Sequence, residues 1–273
     1  FYNTLLFLIP HIELQLTAMT TQTSQTAVPE NLDLDQINEQ LKDATPQQVI
    51  QWACETFGDS CVLTSSFGIK SAVMLHLCSQ VKPDIKVIAI DTGYLLPETY
   101  RFANQMTKLL NLDVRWYSPR ISTGHIEALH GELWKNDDDE SYNTYFDYTK
   151  GEPMQRALKE LGVKAWIAGL GAKQTKFRST LRRVELQNGI FKIHPILPWG
   201  SKEKYYYLKE HSLPEHPLHD QGYATVGDWH SSRPVTADDG NERDTRFGGK
   251  RQECGLHLPK DQNEDASRNS SGL

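Results

Sequence analysis

The residues best suited to nucleophilic chemistry lie near the carboxyl end of the chain, in the segment Lys250-Arg251-Gln252-Glu253-Cys254-Gly255-Leu256-His257. Cys254 has polar, glycine-flanked and cationic neighbours, and nearby cations favour the reactive thiolate. The negative charge of Glu253 opposes thiolate formation, so the sequence does not decide whether the neighbours of Cys254 favour the thiolate overall. A reactive thiol without a resolving partner has to be reduced by the dithiol of another protein. Cys254 is therefore a candidate nucleophile, and His257 a candidate for orienting or protonating a ligand, although a packed or solvent-facing role fits His257 equally well.

Three other segments carry small hydroxyl residues, glycines or charges directly after predicted strands. They are Ser65-Ser66-Phe67-Gly68-Ile69-Lys70-Ser71, Asp91-Thr92-Gly93-Tyr94 and the residues 169–178. Each alone also fits an ordinary turn, a helix cap or a solvated basic face. Because ligands bind beyond the carboxyl ends of parallel strands, their shared placement favours one anion-binding site. The candidate binding residues are Ser65, Ser66, Gly68, Ser71, Asp91, Thr92, Gly93, Lys173, Gln174, Arg178, Arg246 and His257.

Two clusters of basic residues stand out in a chain that carries a net charge of −6. Five basic residues and no acidic one lie between Lys173 and Arg183, and a second cluster comprises Arg243, Arg246, Lys250 and Arg251. Two such clusters fit a small ligand with several phosphate-like groups. An arginine guanidinium can bind two oxygens of such a group at once. The alternative is two solubilising surface strips.

Composition excludes several classes of protein. The chain of 273 residues is 38% hydrophobic and acidic overall, which argues against a general nucleic-acid binder. No apolar run is long enough to cross a bilayer, so we expect no membrane partner. The short apolar run Leu5–Ile9 has no basic residue before it, which argues against a signal peptide. We predict that the native chain starts at Met19.

The four cysteines form no C-x-x-C pair and have no zinc-type spacing to histidine. We therefore predict no metal and no bound cofactor. Cys54, Cys61 and Cys78 lie in apolar sequence and are predicted to be core residues. A reducing, cytoplasmic location follows from the missing secretory signal.

Strand and helix patterns alternate along the chain, which predicts an α/β fold with a mostly parallel sheet and helices on both faces. The capping box Thr45-Pro46-Gln47-Gln48 begins a helix that ends near Gly58. The acidic run Asp137–Glu140 is predicted to be a solvated loop. Strands are predicted at Cys61–Thr64, Lys86–Ile90, Val114–Tyr117, Ala165–Leu170 and Phe191–Ile196, and further helices at Ile69–Cys78, from Pro97, and around Met154–Leu161.

From about Leu41 to His257 the sequence resembles the thioredoxin-dependent phosphoadenylyl-sulfate (PAPS) reductases of sulfate assimilation. The matching stretches are SSFGIKSAVMLHL, VIAIDTGYLLPETYRF, EPMQRALKELG, FKIHPILPW, HPLHDQGYATVGD and TRFGGKRQECGLH. The resemblance implies a Rossmann-like fold of the adenine nucleotide α-hydrolase type, usually homodimeric. It also implies reduction of 3′-phosphoadenylyl sulfate to sulfite and adenosine 3′,5′-bisphosphate, with thioredoxin, or glutaredoxin in its place, as donor, and Cys254 as nucleophile through an S-sulfocysteine.

The polar sequence of residues 19–31 predicts that residues 1–40 form a disordered extension, and the resemblance implies that residues 41–235 form the nucleotide-binding reductase domain. Residues 236–258 would form a mobile catalytic segment, followed by a disordered tail over residues 259–273. The serines and Gly68 of the first loop would hold the phosphosulfate end, Asp91 to Gly93 would line the nucleotide, and Lys173, Arg178 and Arg246 would balance charge.

Some positions depart from the family pattern. Gly171 and Ala172 stand where the family commonly has two arginines, which bears on how tightly the 3′-phosphate is held. Trp229-His230-Ser231-Ser232 replaces a T-H-T-T-like run of similar polarity.

Three alternatives remain at this point. The nearest is a cluster-free adenylyl-sulfate (APS) reductase. The usual APS reductases bind an iron–sulfur cluster through a cysteine pair and a C-x-x-C, and both are missing here, which favours the 3′-phosphorylated substrate. An ATP pyrophosphatase would carry S-G-G-x-D-S in the loop, and a nucleotide sensor would not need Cys254.

Overall fold

The computed structural model describes residues 32–253 and 255–257, and in this part of the chain six strands form one sheet. The strand order is β3-β2-β1-β4-β6-β5, with every neighbouring pair parallel except β5 and β6. The strands are β1 Cys61–Thr64, β2 Lys86–Ile90, β3 Asp113–Tyr117, β4 Ala165–Ile167, β5 Val184–Gln187 and β6 Ile190–Ile193. The chain order reverses between β1 and β4, which makes their carboxyl ends the expected ligand site.

Helices cover both faces of this sheet. The capping box at Thr45 is formed as predicted, with Thr45 and Gln48 each bonding the other's backbone N–H. The helices are α1 Leu34–Gln40, α2 Pro46–Phe57, α3 Ala72–Val81, α4 Pro97–Leu110, α5 Thr123–His130, α6 Asp139–Phe146, α7 Glu152–Glu160 and α8 Ser201–Glu210. A π-helical turn, Asp147–Gly151, joins α6 directly to α7.

The core lies on the two faces of the sheet, and β1 shows how one strand serves both. Cys61 and Leu63 pack into the apolar cluster that contains α2, α3 and α4, whereas Val62 packs into the cluster that contains α7. All three side chains are buried. Successive side chains of a strand point to opposite faces, so a central parallel strand needs an uninterrupted apolar run.

The sequence predictions of fold class and of the parallel strands are confirmed, with differences at the edges. The strand β5 was missed because it is an antiparallel edge strand with alternating exposure rather than an apolar run. The predicted helix Ile69–Cys78 begins only at Ala72, since residues 65–71 form a loop.

Two predictions of irregular structure are wrong in part. Residues Leu34–Gln40 of the expected disordered extension form α1, whose Ile37 is buried in the core. The acidic run Asp137–Glu140 is solvent-exposed as predicted, but it is not all loop, because α6 begins at Asp139 and Asp138 caps it by accepting a bond from the Ser141 N–H at 2.7 Å. Three predictions fall on residues that the structure does not describe. They are the start at Met19 with the first part of the extension, the nucleophile Cys254, and the disordered tail.

A search of the described helices finds none with the length and apolarity that a bilayer span requires.

Candidate active site

A cavity of about 290 Å³ opens at the carboxyl ends of β1 and β4, where the strand order reverses. One wall is apolar, with Ile88, Ile90, Met154, Trp166 and Leu170 among its residues. The rest of the lining comes from the loop after β1, from residues 224–228 and from residues of the carboxyl-terminal part of the chain. A cavity with both apolar and polar lining suits a ligand with a flat aromatic part and a charged part.

The loop Ser65–Ser71 is held in shape by its own hydroxyl groups. Ser65 Oγ accepts a hydrogen bond from the Phe67 N–H at 3.1 Å, and Ser71 Oγ donates to the Gly68 carbonyl at 2.8 Å. Phe67 has a φ of +48° yet is buried and stacks on Trp116 with ring centroids 5.6 Å apart. Strained backbone of this kind persists where packing over-determines it, which keeps the loop open around the cavity.

The cavity is strongly cationic. Its lining contains more basic side chains than carboxylates, and the carboxylates are Asp228 and Glu242. Fixed positive charges in a half-enclosed site bind anions far better than exposed ones, because solvent screens them less. The basic lining residues are Lys70, Lys150, Arg178, Lys204, Arg243 and Arg246.

Lys150 enters the cavity from the π-helical turn between α6 and α7, a kind of irregularity that is frequent at functional sites. Its ammonium forms an ion pair with Asp228, which is fully buried. Asp228 also accepts hydrogen bonds from Thr92 Oγ1 at 2.5 Å and from Tyr145 Oη at 2.7 Å. Burial raises the pKa of Asp228, but Lys150 and these donors outweigh it and hold that pKa well below its usual range.

Sequence reasoning missed both Lys150 and Asp228. Each is a single charged residue in a segment that was not predicted to reach the site. Asp228 ends one of the stretches that carry the family resemblance, which was the available signal.

Arg246 lies against the backbone of Gly227. A Cβ at Gly227 would come within 2.3 Å of the guanidinium nitrogens, so this close approach requires glycine. Arg246 is buried, donates to Ser232 Oγ at 2.6 Å, and forms no ion pair among the residues that the structure describes. Its charge is therefore available to a ligand in the cavity.

Arg178 is also buried and lines the cavity, which excludes the solvated-strip interpretation at this position. Its Nε and Nη2 donate to the two oxygens of Glu253 at 2.9 and 2.8 Å, and its Nη1 donates to Gln174 Oε1 at 2.5 Å. Thr175 Oγ1 donates to Glu253 at 2.8 Å. The residue before Cys254 is thus bound inside the site by an arginine fork.

Four other basic residues of the predicted clusters fall into two groups. Lys176 and Arg182 are exposed, which fits the strip interpretation. Lys250 and Arg251 form ion pairs with Asp137 and Asp139 at the start of α6. The acidic run therefore holds the chain segment that leads to Cys254.

The residues after Cys254 are docked against the site as well. The carbonyl of Leu256 accepts a bond from Lys192 Nζ at 2.8 Å, and the ring of His257 lies 5.2 Å from that of Trp166. Gly255 packs on Phe146, which a Cβ would approach to 2.8 Å. Cys254 itself lies outside the described residues, whereas Leu256 and His257 line the cavity and Glu253 binds Arg178, which also lines it.

His257 lines the cavity as predicted. Burial and the nearby Lys192 and Arg178 lower its pKa well below the usual value. The imidazole is therefore neutral at pH 7.

The structure brings most of the predicted binding residues together, but not all. Asp91 and Gly93 lie next to the cavity without lining it, because Asp91 accepts bonds from the Gly93 N–H at 2.8 Å and from Tyr100 Oη at 2.6 Å. Lys173 is exposed and lines a smaller side pocket. The predicted residues in the cavity lining are Ser65, Ser66, Gly68, Ser71, Thr92, Gln174, Arg178, Arg246 and His257.

The remaining cysteines do not line the cavity. Cys61 and Cys78 are buried, and burial together with neighbouring thiols raises their pKa well above the usual value, whereas Cys54 is only partly buried. Within the described ranges, no three His, Cys, Asp or Glu side chains meet in a metal-binding arrangement, and the metal-free site stays a prediction.

Comparison with known proteins agrees with the sequence resemblance. Residues 60–234 match the model of the phosphoadenosine phosphosulfate reductase domain. Phosphoadenosine 5′-phosphosulfate reductase of Synechococcus sp. is 55% identical over 82% of this chain and 97% of its own length. The protein of the same name from Synechocystis sp. is 53% identical over 89% of this chain and 97% of its own length.

A solved structure is similar too. The crystal structure of PAPS reductase from Candida auris in a phosphate complex is 32% identical, with a TM-score of 0.65 over 74% of this chain and 98% of that chain. The family model and these relatives span most of the chain, and it belongs to the phosphoadenosine phosphosulfate reductase family.

Proposed function

We propose that this enzyme reduces 3′-phosphoadenylyl sulfate to sulfite and adenosine 3′,5′-bisphosphate in assimilatory sulfate reduction, with thioredoxin as the electron donor. The observation that carries the proposal is the docking of Glu253 and residues 255–257 at a cationic cavity. The residues on either side of Cys254 in the sequence are thus bound at the place that an anionic ligand would occupy. A nucleotide sensor has no use for this arrangement.

In the first step, the Cys254 thiolate attacks the sulfonyl sulfur of the substrate. A sulfur–sulfur bond forms, and the bond from that sulfur to the phosphate oxygen breaks. The oxygen leaves with the electron pair as part of adenosine 3′,5′-bisphosphate. The enzyme then carries an S-sulfocysteine.

In the second step, a thioredoxin thiolate attacks the Cys254 sulfur, and sulfite leaves with the electron pair of the sulfur–sulfur bond. The second thioredoxin thiol resolves the mixed disulfide and regenerates the Cys254 thiolate. The two electrons come from the thioredoxin dithiol, which leaves as a disulfide. No bound cofactor is needed for this balance.

The cavity supplies electrostatic stabilisation for the first step. Negative charge accumulates on the leaving phosphate, and Arg246, which forms no ion pair among the described residues, is already in place before the reaction. Ser65, Ser66, Gly68 and Ser71 would hold the phosphosulfate end. Arg178 joins them when Glu253 yields its place.

The proposal is tested by measuring sulfite release with thioredoxin and either nucleotide sulfate. We expect a higher kcat/KM for 3′-phosphoadenylyl sulfate than for adenylyl sulfate. A higher kcat/KM for adenylyl sulfate would identify the alternative, a cluster-free APS reductase. Absence of sulfite with both substrates would refute the proposed activity altogether.

The family resemblance further implies a homodimer, which light scattering on the purified protein tests directly. A reaction that consumes dithiol reducing equivalents belongs in a reducing compartment, and on that ground we assign the enzyme to the cytoplasm. The same sulfite-release assay with glutaredoxin in place of thioredoxin tests whether glutaredoxin is the electron donor.

A further inference from the structure

Lys204 is a buried lysine on the inward face of α8. That face also carries Tyr207 and Leu208, at the i, i+3 and i+4 spacing of a helix that packs on a core. Lys204 is 4% exposed, where an apolar side chain is expected. It lines the main cavity and also the smaller side pocket beside it.

The ammonium of Lys204 lacks a carboxylate partner. Among the residues that the structure describes, it takes part in no ion pair. Glu242, the acidic group that raises the pKa of Lys204 most, is bound instead by Lys70 Nζ at 3.0 Å and Ser201 Oγ at 2.7 Å. Burial and Lys70 lower the pKa of Lys204 to about 8, which is the effect of a cation without a compensating anion.

The backbone leaves space for this ammonium at Gly171. A Cβ at Gly171 would lie 2.9 Å from Lys204 Nζ and 2.9 Å from the carbonyl oxygen of Trp199. Any side chain would therefore collide with the lysine or with the backbone. Gly171 is one of the positions at which the sequence departs from the family pattern, and here it accommodates a cation from another element.

We propose that Lys204, whose ammonium occupies the space that Gly171 leaves, is a further substrate-binding residue, which takes an oxyanion of the nucleotide, phosphate or sulfonate, in the cavity that it lines. The identity of the ligand as a nucleotide sulfate rests on the proposed function. The presence of an anion subsite rests on the geometry of Lys204 alone.

The test is the substitution Lys204→Met, which keeps the length of the side chain and removes its charge. Lys202→Met is the matched control, because Lys202 lies exposed on the same helix. Both are made on the Cys254→Ser background, so that no turnover occurs. Calorimetry then measures binding of AMP, adenosine 3′,5′-bisphosphate and 3′-phosphoadenylyl sulfate.

We expect Lys204→Met to weaken at least one of these ligands about tenfold or more, since a charge-assisted bond is lost, and Lys202→Met to change none of them. If all three ligands lose affinity, Lys204 binds the 5′-phosphate. If only the two ligands with a 3′-phosphate lose affinity, Lys204 binds the 3′-phosphate. A loss for 3′-phosphoadenylyl sulfate alone assigns the sulfonate. Unchanged affinity for all three overturns the proposal.

Misfolding is separated from loss of binding by thermal unfolding. Removal of a buried unpaired charge should leave the melting temperature of Lys204→Met equal or higher. If it falls, Lys204→Gln replaces it in the same titrations. A wild type that binds the bisphosphate but makes no sulfite would refute the proposed function and leave this inference to be decided by the titrations.

Discussion

Glu253 binds Arg178 through both carboxylate oxygens, and the two side chains are 8% and 6% exposed. This ion pair joins the residue before the candidate nucleophile to an arginine in the wall of the nucleotide cavity. We therefore expect a substrate oxyanion to compete with the Glu253 carboxylate for the same guanidinium. On this proposal, entry of substrate and the position of the carboxyl-terminal segment are coupled through Arg178.

Arg178→Ala should weaken binding of adenosine 3′,5′-bisphosphate about tenfold, and Arg178→Lys should restore only part of the loss, because lysine lacks the two-pronged fork. Calorimetry measures both affinities. Arg182→Ala is the control, since Arg182 is exposed on the same stretch of chain. Equal affinity of the Arg178→Ala variant and the wild type would show that Glu253 keeps this arginine throughout.

Glu253→Gln should have the opposite effect on binding. The amide keeps the size of the side chain but releases the arginine charge, so affinity for adenosine 3′,5′-bisphosphate should rise several-fold. Hydrogen exchange in residues 250–257 should become faster, and sulfite production should fall, because the segment is held less firmly. Glu210→Gln, on the exposed face of α8, serves as control. Unaltered exchange in the segment would count against the coupling.

Asp228→Asn should destabilise the fold, by about 3–5 kcal/mol, because one partner of a buried ion pair is removed while Lys150 stays. Urea unfolding measures the change, with the exposed Asp238→Asn as reference. The folded pKa of Asp228 is depressed, so its contribution is complete above the unfolded value of about 3.9 and is lost as pH falls below it. Acid unfolding of the variant should accordingly depend less on pH, and parallel curves would contradict the role of Asp228.

The central part of the fold could be predicted from sequence, because buried parallel strands leave apolar runs and because turn residues follow them. The runs at Cys61–Thr64 and Lys86–Ile90 have the predicted bounds. The helix α8 left no such pattern, since Lys204 occupies one of its few inward positions. Without that helix, nothing indicated that Lys204 reaches the cavity.

The predicted binding residues line the cavity where the prediction followed from local sequence, as in the serine loop and at Arg178, and their roles stay predictions. The prediction was incomplete where a residue acts through a distant partner. The ion pair of Lys150 and Asp228 spans separate segments, and no spacing rule connects them. Lys173 was placed in the site because of its charge, but its side chain is exposed at the side pocket.

Nucleotide binding should weaken as pH rises above about 8, because Lys204 then loses the proton that its anion partner needs. Binding should draw in a proton, since an anion raises the depressed pKa of the lysine. The charged groups that act on Lys204 are Lys70, Arg178, Glu203 and Glu242.

Calorimetry near pH 8.5 in two buffers of different ionisation enthalpy measures this uptake, on the Cys254→Ser background. The uptake should disappear in Lys204→Met. If the variant takes up as many protons as its parent, another group is responsible.

Cys254→Ser should keep nucleotide affinity and lose sulfite production, because serine retains the size of cysteine but not its easily formed, highly nucleophilic anion. With intact protein, substrate and no thioredoxin, mass spectrometry should find one sulfonate on the peptide that contains Cys254. Cys54→Ala should not alter that result, since Cys54 does not line the cavity. A sulfonate on the peptide of Cys54, Cys61 or Cys78, or sulfite from the serine variant, would exclude Cys254 as the attacking group.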